Sequence, residues 1–315
     1  MSKIAFLFPG QGSQTVGMVG EFVAQDEASK NKLQLADEAL GFSLSAIMQQ
    51  GPQEELTLTY NAQPALLTAG VIVAERLRAV GIEADFAAGH SLGEFAALVY
   101  AGAMTFEDAV VTVNKRGQFM DQAVPAGLGA MAAILSIDAE SLRVVCEEIT
   151  NEGHSVQLAN INCPGQIVIS GTAVGVERAS SLAKERGAKR AIPLVVSGPF
   201  HSSLMAPAAD KLAEQLNRIQ LFNPHIPVVS NVTSELLTDA TQLPSELVAQ
   251  VTSPVRWQQN IETLIAQGVD VFIECGPGKV LSGLVKKINR DVQVLAVYDE
   301  QTLQDAQMTL KGVQQ

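Results

Sequence analysis

One short stretch constrains this chain more than any other: Ala88-Gly89-His90-Ser91-Leu92-Gly93-Glu94. Before it, Asp85-Phe86-Ala87-Ala88 reads as a short buried strand. After it, Glu94-Phe95-Ala96-Ala97-Leu98-Val99 has the apolar spacing of a packed helix. A strand, a Gly-x-Ser-x-Gly turn and a helix together make a nucleophile elbow. The turn is tight and the helix must lie close to the strand, so the two glycines answer a steric need. Ser91 is thereby lifted clear of the sheet at a helix N-terminus, where free backbone N–H groups can stabilise an oxyanion. The plain alternative is a strand–helix turn in which Ser91 is only an N-cap. The complete pentapeptide in this context favours a nucleophile.

A serine hydroxyl is too weakly acidic to attack unaided at neutral pH, so it needs a neighbouring base. The chain has four histidines. His90 is adjacent to Ser91, but consecutive residues at a turn point apart, so it is expected to pack or hydrogen-bond nearby. His154 belongs to a glycine-flanked loop far along the chain, and His225 stands at the start of a strand. His201 lies in Ser197-Gly198-Pro199-Phe200-His201-Ser202-Ser203, a loop of the kind in which catalytic residues of α/β sheets gather. His201 is the expected base.

The remaining elements suggest an α/β protein of about two domains, which 315 residues allow. Residues 3–8 form a first buried strand, followed by the loop Pro9-Gly10-Gln11-Gly12-Ser13-Gln14. A dinucleotide fingerprint fails there because Thr15 replaces the third glycine. Small residues in such a loop suit backbone approach to a ligand instead. Residues from about 21 to 80 are expected to be mostly helical, broken at Gly51-Pro52. Thr105 with Asp108 opens a further helix as a capping box, and Arg116 lies on it.

From Gly129 the rhythm changes to strand 130–135, helix 138–150, strands 156–161 and 166–170, helix 174–186 and strand 189–195. That is β-α-β-β-α-β, the ferredoxin-like order, inserted in a larger domain that resumes near Val196. Strands 226–230 and 269–274 then alternate with helices, as in a covered parallel sheet. Gly276-Pro277-Gly278-Lys279 lacks the spacing of a Walker loop and reads as a tight strand-to-helix turn.

Charge and cysteine content narrow the setting. A net charge of −12 argues against nucleic acid as a partner. Three cysteines, Cys146, Cys163 and Cys275, are odd in number and far apart, which fits a reducing compartment and no cysteine zinc site. No stretch has the length of a membrane span, and the first apolar run is too short for a signal peptide. The expected protein is soluble and cytoplasmic.

Gly10-Gln11-Gly12-Ser13-Gln14, Gly89-His90-Ser91-Leu92-Gly93-Glu94, Lys115-Arg116-Gly117, Phe200-His201-Ser202 and Phe272-Ile273-Glu274-Cys275-Gly276-Pro277-Gly278-Lys279 together resemble the malonyl-CoA:acyl carrier protein transacylase family. The resemblance covers the chain from its first strand to about Leu284. It implies an α/β-hydrolase-like core with a mainly parallel sheet, over residues 1–127 and 197–315, and a ferredoxin-like subdomain over 128–196. It further implies Ser91 as nucleophile and His201 as base and later acid. The N–H groups of Gln11 and Leu92 become the oxyanion hole, and Arg116 the partner of the malonyl carboxylate. The Gln250 backbone carbonyl would orient His201, while Asn160 and Asn162 would face the acyl pocket.

The implied reaction is a ping-pong transfer from malonyl-CoA, through a malonyl-serine ester, to the phosphopantetheine thiol of acyl carrier protein, supplying fatty acid synthesis. The enzyme would act as a monomer and need no cofactor. Carrier proteins of this kind are acidic, so two basic segments become docking candidates: Lys184, Arg186, Lys189 and Arg190, and Lys279, Lys286, Lys287 and Arg290. Two rivals share the elbow. One is a serine esterase or thioesterase, whose histidine usually lies near the C-terminus. The other is an inert carrier-binding scaffold.

Overall fold

The computed structural model describes residues 2–313. Among the described residues, ten strands form two sheets. In chain order they are β1 (Lys3–Phe8), β2 (Phe86–Gly89), β3 (Gly129–Leu135), β4 (Val156–Cys163), β5 (Gln166–Thr172), β6 (Arg190–Pro193), β7 (Val228–Val229), β8 (Leu236–Leu237), β9 (Val269–Cys275) and β10 (Gln293–Val297).

The larger sheet runs β10-β9-β1-β2-β7-β8, and every pair in it is parallel except β7 with β8. β1 is central because its run Ala5 to Phe8 is buried on both sides. Phe6 and Phe8 join one core, Ala5 and Leu7 the other, as the two-residue period of a strand requires. The helix Thr59–Ala79 covers the first face, burying an almost unbroken apolar run. Trp257, Ile261 and Leu264 of the helix Trp257–Ala266, with Leu281, Leu284 and Val285 of the helix Val280–Ile288, cover the second. Each such fully buried large side chain contributes about 1.5–3 kcal/mol.

Strand register places the site. Phe8 pairs with Gly89, so β1 and β2 end level with one another, and the His90 N–H donates to the Phe8 carbonyl at 3.0 Å. The loop after β1 and the elbow after β2 therefore stand side by side at the C-terminal edge of the sheet.

The smaller sheet is antiparallel, in the order β4-β5-β3-β6. It shares a separate core with the helices Ala139–Asn151 and Ala173–Glu185. The order β-α-β-β-α-β is the one the sequence suggested. The smaller sheet is tied to the rest of the chain where the Ile161 N–H donates to the Val255 carbonyl at 2.8 Å and the Val255 N–H to the Ala159 carbonyl at 2.9 Å.

Several details differ from the expectations. The segment from 21 to 80 is five helices, with further breaks at Asp26, which caps Ser29, at the left-handed Gly41 and at Leu58. β6 stops at Pro193; Leu194 still donates to Met131, and Val195 is then fully exposed. β10 is a half-buried edge strand and β8 a two-residue antiparallel one, both too weakly patterned to stand out. Thr105 does cap its helix, accepting from the Asp108 N–H at 3.2 Å. Among the described residues, no helix is long and apolar enough to cross a membrane.

Candidate active site

The elbow is built as its glycines demand. A side chain at Gly89 would lie 1.8 Å from the Gly93 carbonyl carbon, and one at Gly93 would lie 2.1 Å from the Phe8 oxygen. Backbone occupies both spaces, so no larger residue fits. Ser91 takes the left-handed region at φ 52°, which turns its side chain out of the sheet. His201 also has positive φ, at 56°.

The Ser91 Oγ lies 2.8 Å from His201 Nε2, and His201 Nδ1 lies 2.9 Å from the Gln250 carbonyl oxygen. A carbonyl only accepts, so Nδ1 carries the proton and Nε2 is free to take one from Ser91. Arg116, 1% exposed, completes the cluster. Its Nη2 donates to Ser91 Oγ at 3.1 Å and to Gln250 Oε1 at 2.8 Å, and its Nη1 donates to Gln63 Oε1 at 2.7 Å. Among the described residues its Nε–H has no acceptor, so the guanidinium retains unspent donors.

A cavity of about 240 Å³ opens on this cluster. Gln11, Leu92 and Asn160 line it together with Ser91, Arg116 and His201, and Met120, Met131 and Phe200 supply apolar wall. Among the described residues, neither the Gln11 nor the Leu92 backbone N–H has an acceptor. Asn162 is placed differently: its Oδ1 lies 2.9 Å from His90 Nε2, behind the cavity wall. His90 also packs on Trp257, at 5.5 Å between ring centres. His225 lies against Gly102 and Tyr100, where it packs structure.

A charged donor poised beside a serine–histidine pair fits an acyl group that carries its own anion. Comparison with known proteins supports that reading. The acyl transferase domain family matches residues 5–305. The malonyl CoA-acyl carrier protein transacylase of Bacillus subtilis is 60% identical over 311 residues, covering 99% of this chain and 98% of the relative. The chain belongs to the malonyl CoA-acyl carrier protein transacylase family.

Solved structures agree with the membership. An acyl carrier protein S-malonyltransferase from Vibrio cholerae superposes with a TM-score of 0.95 at 46% identity, over 97% of this chain and all 100% of that one. A malonyl-transacylase in complex with its type II PKS acyl-carrier protein superposes with a TM-score of 0.95 at 43% identity, over 98% and 100% of the two chains.

Burial sets the electrostatics of this transacylase. It pushes the His201 imidazole down, to about 3, with help from the Arg116 charge. It pushes Arg116 down to about 10, against the attraction of Glu94. It pushes the Glu94 carboxyl up, while hydrogen bonds from Gln250 and Asn231 favour its charged form. The His201 imidazole is thus neutral at physiological pH.

Three members of the site had no sequence signal as such. Gln63 holds Arg116 from the helix Thr59–Ala79. Asn231 accepts from the Ser91 N–H at 2.8 Å and donates to the Gly89 carbonyl at 2.7 Å, locking the elbow. Gln157 on β4 donates to the carbonyls of His201, at 3.3 Å, and Thr252, at 3.1 Å. Neutral amides in helices and loops have no characteristic spacing. Glu94, by contrast, lies within the elbow motif itself.

Proposed function

We propose that this chain is a malonyl-CoA:acyl carrier protein S-malonyltransferase, working through a malonyl-serine ester. The observation that carries the reading is the buried Arg116 guanidinium 3.1 Å from the Ser91 hydroxyl. A cation there selects an acyl group ending in carboxylate, because an acetyl group would leave its charge unpaired.

Malonyl-CoA enters the cavity and its carboxylate engages the unspent donors of Arg116. Ser91 Oγ attacks the thioester carbonyl while His201 Nε2 takes its proton. The oxyanion is held by the N–H groups of Leu92 and Gln11, free donors at the cavity wall. Losing one such donor costs about 2.7–4 kcal/mol of transition-state stabilisation. His201 then protonates the departing CoA sulfur. In the second half, the phosphopantetheine thiol of the carrier protein gives its proton to His201, attacks the ester and takes the malonyl group, and Ser91 regains its proton. Every step is proton and acyl transfer between nucleophiles, so the chemistry calls on no metal or prosthetic group. The Gln250 carbonyl orients the imidazole as an Asp would, but stabilises the imidazolium less.

Within this reading the core is α/β-hydrolase-like, over residues 1–127 and 197–315, and the inserted unit at 128–196 is ferredoxin-like. Asn160 faces the acyl group, and Asn162 acts through His90. Three buried free cysteines suit a cytoplasmic enzyme, and the enzyme acts as a monomer.

Intact mass after mixing with malonyl-CoA alone tests the reading, with acetyl-CoA and Ser91→Ala as controls. One malonyl group should remain on the wild type only, and carrier protein should discharge it. Steady CoA release without an adduct would make the chain a thioesterase instead.

A further inference from the structure

We propose that Glu94 is a positioning residue for acyl selection: its buried carboxyl, acting through Gln250, holds the Arg116 guanidinium in place to receive the acyl carboxylate. The inference rests on the reading above in which Arg116 binds that carboxylate.

Glu94 follows the nucleophile by three residues, in the first turn of the helix Gly93–Tyr100, and is 1% exposed. It lines no part of the cavity and touches neither Ser91 Oγ nor His201 among its hydrogen bonds. Its Oε2 accepts from Gln250 Nε2 at 2.6 Å, and its Oε1 accepts from the Asn231 backbone N–H at 3.2 Å. Both partners are completely buried, so water cannot replace the carboxyl.

The consequence lies in the polarity of one amide. Gln250 has a donor end and an acceptor end. Two acceptors, Glu94 Oε2 and the Ser91 carbonyl oxygen at 2.9 Å, face its Nε2. That leaves Oε1 for Arg116 Nη2, at 2.8 Å. The same Gln250 orients His201 through its backbone carbonyl, but that contact does not depend on the side-chain amide. Glu94 therefore acts on the guanidinium more directly than on the base. Both of its oxygens accept from N–H donors, and its attraction acts on the Arg116 guanidinium.

Glutamine at position 94 keeps the size but offers one acceptor where the carboxyl offers two. Either Gln250 Nε2 or the Asn231 N–H would then face an amide NH2. Glu94→Gln should raise the malonyl-CoA KM roughly tenfold and lower the malonyl-over-acetyl preference in kcat/KM by a similar factor. Gln250→Met, which keeps the backbone carbonyl, should lower the preference in the same way. In an Arg116→Ala background, Glu94→Gln should change the preference no further, the signature of two residues acting as one unit.

An equal loss for malonyl and acetyl transfer would mean that Glu94 merely supports the elbow, and would overturn the proposal. So would an additive effect on the preference in the Arg116→Ala background. Should Glu94→Gln fail to fold, Gln250→Met decides, and an intact malonyl preference there rules out the relay. The wild-type malonyl adduct is the control: its absence would count against the malonyl reading itself rather than against Glu94.

Discussion

Arg116 and Ser91 are joined by a hydrogen bond, Nη2 to Oγ, of 3.1 Å. In the proposed reading, the cation that receives the acyl carboxylate thus sits on the attacking atom. Arg116→Ala should reduce kcat/KM for malonyl-CoA by about ten- to 150-fold, the value of a charge-assisted bond of about 1.5–3 kcal/mol. Acetyl-CoA should be affected far less. Parallel steady-state assays with both thioesters measure the ratio, and an unchanged ratio would refute the role given to Arg116.

The same proximity governs pH dependence. Burial and the Arg116 charge hold His201 at about 3, well below its ordinary value of 6.5. A lowered pKa keeps the imidazole neutral, and so competent as a base, as pH falls through 6.5. The kcat/KM profile for malonyl-CoA should accordingly show no histidine-type decline there. Removing the cation in Arg116→Ala should move the acid limb upward. A limb that moved downward, or a wild-type limb at the ordinary histidine value, would contradict this assignment.

Left-handed backbone at Ser91 gives an unusual stability order. At φ 52° a Cβ is strained, by about 1–2 kcal/mol, whereas glycine is at ease. Ser91→Gly and Ser91→Ala both remove the hydroxyl, so their difference isolates the Cβ. The glycine variant should be the more stable by up to about 1 kcal/mol after its greater unfolded-state entropy is counted. Urea unfolding of the pair would show it, and the usual order, alanine above glycine, would argue against a strained elbow.

Asn231 fixes the elbow from outside the helix that follows it. Asn231→Ala strands the Ser91 N–H and the Gly89 carbonyl, with a cost of about 1–3 kcal/mol for a buried group left unsatisfied. Lower stability and slower malonyl-serine formation should appear together. Full stability with normal acylation would show that another contact does this work.

For the carrier protein, the side-chain contacts separate the two basic segments. Lys286 Nζ donates to the Val292 carbonyl at 2.6 Å and Lys287 Nζ to Gln166 at 3.1 Å, so both ammonium groups are engaged. Lys189 and Arg190 are exposed, make no ion pair among the described residues, and precede Leu194 and Val195 at the cavity mouth. Reversing both to glutamate should weaken transfer to carrier while leaving acylation by malonyl-CoA unchanged. A larger effect from Lys286 and Lys287 would point to the other face.

Much of this architecture was legible because single strong signals carried it. The buried run of β1, the elbow and the alternation of the inserted unit each follow from period and glycine placement. Ser91 and His201 followed from the demands of nucleophilic chemistry on a chain with few histidines. Arg116 takes its role only from the family resemblance, because its burial is a property of packing that local sequence does not record. Gln63, Asn231 and Gln157 stayed hidden for the same reason: each acts through contacts across 53, 140 and 44 residues of chain, and no local pattern records them. β10 and β8 were missed because edge pairing tolerates weak patterns.

Gln157 also limits how modular this enzyme can be. Its amide spans the loop carrying His201 and the end of the helix Leu243–Thr252, whose Gln250 carbonyl meets that imidazole, while its Oε1 accepts from the Ser203 N–H at 3.0 Å. One residue of the smaller sheet thus staples together two parts of the larger unit's chemistry. An engineer who exchanged the insert for that of another acyltransferase, hoping to change substrate range alone, would also be replacing a fastener of the His201 loop. A graft that keeps a glutamine in this register carries its own fastener, and one without it begins with a loosened base.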